Sequence, residues 1–354
     1  MGLGEQTDVA NNAPLTIDQR KQKWREFYDM SAAPKHVFFI GYDDRSISAG
    51  PQPYAELKRK RIEHGWDFYV NRREQAEWLD DDYLPHIAMW TGTELFAEAF
   101  GCPVHRYETG NPCAMPLIHS VKDIGKIKMP DLSSEPLARV FEIMDELHRR
   151  DPAALLMMVD IQSPMDIAAL IWEKTNFYTA IIDEPQAVKD VAHMAAELLI
   201  AFHDEWFSRY STEFIAHYPD YYFYDGLTLS EDEIGAVNDE MFCEMFLPHL
   251  VTLSERYGGI GIHCCANARH QWPHLLKIPN LRMLNLVQGP AVIDEAHKYF
   301  AQHCGQMHDC WQGNVGPEAM LARYPKGARC VVRVPAESKE QAIDYAARMR
   351  ELCG

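Results

Sequence analysis

The chain has 354 residues, 47% of them hydrophobic, and a formal net charge of −18. That length can bury one large α/β core or two smaller ones, and the charge argues against nucleic acid and anionic membrane surfaces as partners. No apolar run approaches the roughly 20 residues that span a bilayer. The N-terminus, with Glu5 and Asp8, is not a signal peptide. Nine cysteines, an odd number, without that signal point to reduced thiols in a cytoplasm.

Residues 1–14 are small and polar. Thr16 is an N-cap for a charged helix through Met30, with Trp24, Phe27 and Tyr28 as its apolar stripe. His36 to Asp43 reads as a first strand with a polar exit at Asp43, Asp44 and Arg45. Tyr54 to Leu79 has a helical pattern. Glu94–Phe100 is a short helix ended by Gly101, and Val104–Met115 has strand character. Leu137–Arg150 is an amphipathic helix, followed by an apolar run, Ala154–Ile161, that ends around Asp160, Gln162 and Ser163. Helices are predicted at about 165–180 and 186–217. Tyr221–Asp225 is an aromatic strand with an acid at its end, and Asp232–Glu255 is helical.

Gly258 to Ala266 then reads as a buried strand ending in His263-Cys264-Cys265, with Asn267 just beyond. Side chains alternate faces along a strand, so His263 and Cys265 point one way and Cys264 the other. One imidazole and one thiol on one side of a strand end make half of a zinc site; two core cysteines beside a satisfied histidine is the structural alternative. Leu281–Val287, a helix at 291–303, Met307–Val315, a helix from Glu318, Cys330–Val334 and a last helix complete the chain.

Strand and helix alternating over this length predict an α/β fold, a (β/α)8 TIM barrel over 36–354 with an N-terminal extension and helix over 1–35. An open doubly wound sheet is the alternative, weakened because no Gly-rich phosphate loop follows a strand. Barrel sites sit at the C-terminal ends of the strands. The polar residues expected there are Asp43, Asp44, Asp160, Gln162, Tyr224, Asp225, His263, Cys265, Gln312 and Asn314.

Several stretches carry a resemblance. Ala97 to Val104 with Glu108 and Pro112, Asp160-Ile-Gln-Ser-Pro164, Asp225 to Ser230 with Phe246-Leu-Pro-His249, and Gln312-Gly-Asn-Val315 with Pro317 occur in an order and spacing similar to the uroporphyrinogen decarboxylase superfamily. That superfamily includes cobamide-dependent methyltransferases. The resemblance implies a (β/α)8 barrel with its pocket at the strand C-termini. True uroporphyrinogen decarboxylases carry an arginine-rich N-terminal motif, whereas Phe38–Pro51 offers only Arg45. The methyltransferase subgroup has a His-x-Cys pair and a later cysteine holding zinc, and His263 and Cys265 match the pair. The resemblance implies Cys330 as the third ligand. Its place at the start of an apolar strand leaves Cys310 and Glu337 as rivals.

The resemblance further implies a Zn2+ cofactor, a small-molecule methyl donor or acceptor, and a corrinoid carried by a partner protein. Zinc is a Lewis acid that lowers a bound thiol's pKa or polarises an ether oxygen or amine. Asp225, Asp160 and Tyr224 are the expected catalytic residues; Asp43, Gln162, Asn267, Gln312 and Asn314 are the expected substrate contacts. A metal-free lyase or decarboxylase of the same superfamily and a non-catalytic barrel subunit are the alternatives, and a homodimer is allowed.

Overall fold

A computed structural model describes residues 13–42, 56–107, 111–308 and 316–353. Among these described residues, eight parallel strands form the barrel: β1 (Val37–Gly41), β2 (His86–Ile87), β3 (Leu155–Leu156), β4 (Leu227–Ser230), β5 (Ile260–Cys264), β6 (Leu281–Leu286), β7 (Gly305–Gln306) and β8 (Arg329–Pro335). β4 through β8 pair in sequence order and β8 pairs with β1, Val37 opposite Val331. β2 pairs with β3. Beyond the end of β3, Gln162 bridges to Ser230 of β4.

One seam, between β1 and β2, is closed by side chains. Asp82 Oδ2 accepts the Phe38 N–H and Asp81 Oδ2 accepts the Ile40 N–H, both at 3.0 Å. The Asp82 N–H in turn donates to the Phe38 carbonyl. Two carboxylates thus take the place of a neighbouring strand's carbonyls and satisfy buried donors that would otherwise cost stability. The ring of strands is therefore a (β/α)8 barrel.

Alternation along the strands divides the apolar residues as the pleat requires. Val37, Phe39 and Val331 belong to the main core, while Phe38, Ile40, Val332 and Val334 pack outward with Ala342 and Ala346 of the C-terminal helix Lys339–Cys353. The N-terminal helix Ile17–Tyr28 begins at a Thr16–Gln19 capping box. Its Trp24 and Phe27 are fully buried at the N-terminal end of the barrel. Gly305 admits Phe27, because a Cβ there would stand 2.6 Å from the ring.

One element departs from the expected pattern. The helix expected over 186–217 ends at Arg209, and residues Glu213–Ile215 and Tyr222–Tyr224 form an antiparallel hairpin. Its first strand lies beside β3, with Met157 bridged to Ile215. The hairpin loop therefore reaches the same end of the barrel as the C-termini of β3 and β5, and Tyr224 and Asp225 return to the opposite end.

Candidate metal centre

β5 delivers His263 and Cys265 to the C-terminal mouth of the barrel and sends Cys264 into the core, where it is fully buried. Asp232 follows β4, and Ser230 lies in register with His263 on the neighbouring strand. Single ligand atoms of Asp232, His263 and Cys265 all lie within 4.8 Å of one another. Ligand atoms around tetrahedral zinc are roughly 3.5 Å apart, so a small side-chain contraction would complete the set.

The supporting contacts fit that role. His263 Nδ1 lies 2.5 Å from Asn285 Oδ1 on β6, and the Asn285 amide donates to the Met307 carbonyl. The Asn285 oxygen fixes the proton on Nδ1 and leaves Nε2 for a ligand, as outer-shell partners of metal-binding histidines do. Asp232 Oδ1 accepts the Cys265 backbone N–H at 2.5 Å. Behind Asp232, the Asp166 carboxyl accepts the backbone N–H groups of Asp232 and Glu233 at 2.8 and 3.0 Å, which sets the loop that presents the ligand.

Protonation follows from the surroundings of each group. Cys265 is an exposed residue at the mouth, but its thiol is partly shielded and lies against Asp232, and these two causes, the shielding first, push it up to about 12. Without a metal it is a thiol bonded to a carboxylate, and a cation would displace its proton. Glu231 and Asp166 are fully enclosed neighbours whose carboxyls are raised, burial again being the first cause. One nitrogen, one sulfur and one oxygen suit zinc and leave a coordination position open for a substrate.

The other expected residues divide by where their strands end. Asp160 sits at the mouth, its backbone N–H donating to Thr91 Oγ1 at 2.8 Å and its Oδ1 accepting from Gln162 Nε2 at 2.7 Å. Gln162 is buried beside it and Asn267 is exposed in the loop after β5. Asp43, Asp44, Cys310, Gln312 and Asn314 fall outside the described residues.

Three expectations are corrected. Asp225 stands before β4, in the turn from the hairpin, where its side chain accepts from Thr212 Oγ1. Tyr224 is beside it, under the Arg282 guanidinium at 4.3 Å from the ring centroid, and Arg282 also binds the Tyr224 and Asp225 carbonyls. Both are at the N-terminal end of the barrel, so neither shares a pocket with His263. Cys330 is the second residue of β8, fully buried, its N–H bonded to His36 Nδ1 at 3.2 Å. A strand that begins at a residue carries it to the N-terminal end, away from the mouth. Glu337 lies beyond β8 and is not part of the converging set.

Asp232, Asn285 and His217 were not among the expected site residues. Leu227-Thr-Leu-Ser230 has the alternation of a strand, and the acids at 231–233 end it. The same acids also read as the first turn of the helix expected from Asp232, which hides the strand end.

The fold and the convergent donors define a class: a (β/α)8-barrel protein with a metal-capable site at the strand C-termini. The chain belongs to the uroporphyrinogen decarboxylase (URO-D) family, whose model matches residues 89–340. Among curated proteins, none matches the chain in sequence. A solved methyltransferase from Methanosarcina mazei is similar in shape, with a TM-score of 0.62 at 10% identity over 96% of this chain and 99% of that one. At that identity the likeness is one of fold.

Proposed function

We propose that the chain is a zinc-dependent methyltransferase that moves a methyl group between a small substrate and a corrinoid held by a partner protein. The observation that carries this reading is the convergence of Asp232, His263 and Cys265 at the barrel mouth of a URO-D-family chain. The fold shared with a methyltransferase from Methanosarcina mazei supports it.

Zinc bound there would act as a Lewis acid on the heteroatom to or from which the methyl moves. The chain's own residues prepare that atom's surroundings. Asn285 holds the His263 ring in one orientation, and Asp166 holds the loop of Asp232. Asp160 and Gln162 form a hydrogen-bonding edge two strands from His263, suited to orient a polar substrate. Displacement at carbon needs the donor, the methyl and the acceptor in line, which the open strand ends allow.

The test mixes zinc-loaded protein with reduced corrinoid and candidate donors (methoxyaromatics, methanol, methylamines, methylated thiols, methyltetrahydrofolate), or with methylcorrinoid and the demethylated acceptors. The cobalt spectrum is followed. Turnover with one class supports the reading. Silence across all classes with zinc bound would favour a decarboxylase or lyase of the same family.

A further inference from the structure

We infer that His217, carried into the barrel mouth by the 213–224 hairpin, is the proton carrier of the site, and that the substrate's reacting atom is therefore a thiol sulfur or a hydroxyl oxygen. The inference rests on the methyltransferase reading above.

Three observations carry it. First, both His217 ring nitrogens are buried without a well-formed hydrogen bond. Unpartnered buried polar atoms are uncommon and mark groups held ready for a partner. Second, Asp160 Oδ2 lies 3.9 Å from His217 Nδ1. Gln162 Nε2 donates to the other oxygen of that carboxylate and Thr91 Oγ1 anchors the Asp160 backbone N–H, so the carboxylate can orient the ring and stabilise its charged form. Third, the neighbouring residue Tyr218 packs its ring edge-on against His263, centroids 4.9 Å apart, which ties the hairpin loop to the metal ligand.

The groups whose charges act on His217 are Asp160, Arg61 and His263, with the Thr91 backbone beside it. Burial outweighs Asp160 and lowers the imidazole's proton affinity in the empty site, so the ring starts neutral; the anion that forms on the substrate beside it joins Asp160 in favouring the charged ring and holds the proton there. With Nδ1–H turned to Asp160, Nε2 is the acceptor. Contacts of this kind are often long before substrate binds and tighten afterwards.

The step balances simply. A substrate X–H loses its proton to Nε2, the X–H electron pair stays on X and forms the new bond to the methyl carbon, and the bond between that carbon and the methyl donor breaks with its pair leaving on the donor. In the reverse direction the ring is first protonated from solvent; the C–X bond then breaks, its pair goes to X, and X takes the proton from the His217 imidazolium while the methyl passes to the nucleophilic acceptor. Quaternary ammonium and sulfonium donors leave as neutral molecules and need no such proton, so a buried acid–base pair would serve them nothing.

The experiment counts protons. A small thiol, 2-mercaptoethanol, is titrated calorimetrically into zinc-loaded protein in several buffers of different ionisation enthalpy, at a pH where free thiol is protonated. Wild type is expected to release nearly no protons to buffer, because His217 keeps the one the thiol loses. The H217Q variant is expected to release about one per thiol bound, and D160N an intermediate number. Zinc content, measured separately, should be equal in all three. Equal release of about one proton by wild type and H217Q overturns the role of His217 and leaves the metal reading standing. No thiol binding to zinc-loaded wild type overturns the thiol class, and a protein that takes up no zinc overturns the reading beneath it.

Discussion

At the scale of residues, the donor set makes opposed expectations for acids that look alike in sequence. Asp232→Asn should lower zinc affinity at least tenfold, because a neutral amide is a poorer ligand, whereas Asp225→Asn, at the far end of the barrel, should leave zinc content unchanged. Zinc stoichiometry of the purified variants checks both. Cys265→Ser should lose most of the metal; Asn285→Ala should lose about 10–100-fold in affinity through the freed His263 ring. The thiol adds a pH signature. Since the Cys265 thiol is raised to about 12 without metal, zinc must displace its proton, so affinity should tighten about tenfold for each pH unit gained around neutrality. A competition titration with a chromophoric chelator at several pH values would read this directly, and a flat profile would mean the thiol is not a ligand.

Residue-scale chemistry was partly legible in the sequence. His263 and Cys265 follow from side-chain alternation, which is a property of any strand. Asp232 did not, because acids before an apolar run look like the first turn of a helix.

At the scale of elements, the informative misreading is the stretch from Glu213 to Ser230. It holds three short strands, and a single Gly226 with Asp225 in the left-handed region at φ 44° separates the last two. Periodicity cannot distinguish a barrel strand from the return strand of a hairpin, since both alternate. The barrel strand is the less aromatic one, and the hairpin is what brings His217 to the mouth. The β1–β2 seam is an element-scale feature too. Asp82 is fully buried and bonds both the Phe38 N–H and Arg350 Nη1, the latter at 2.8 Å. Asp82→Ala should destabilise the fold by roughly 3 kcal/mol, since it orphans a strand donor and weakens a buried ion pair. Urea unfolding should show a lower midpoint at unchanged slope. An effect within about 0.5 kcal/mol of wild type would mean the seam is held by packing alone.

At the scale of the whole molecule, the alternation of strands and helices was enough to reach the barrel, because eight strands with covering helices leave few other topologies. The orientation of the site followed from the same rule: strand C-termini converge, so Asp232, His263 and Cys265 meet from two neighbouring strands, with Asp160 at the end of the next one. What the pattern could not supply was where each strand begins. Cys330 shows the consequence, since a shift of a few residues decides whether a cysteine reaches the mouth or the opposite end.

The central claim is that Asp232, His263 and Cys265 hold one zinc ion with a position left open. Zinc K-edge X-ray absorption on the purified, zinc-loaded protein tests it most directly. The expected spectrum has one sulfur at about 2.3 Å and three nitrogen or oxygen scatterers at about 2.0–2.1 Å. Two sulfurs would put a second cysteine in place of Asp232, and a protein that binds no zinc would contradict the site altogether.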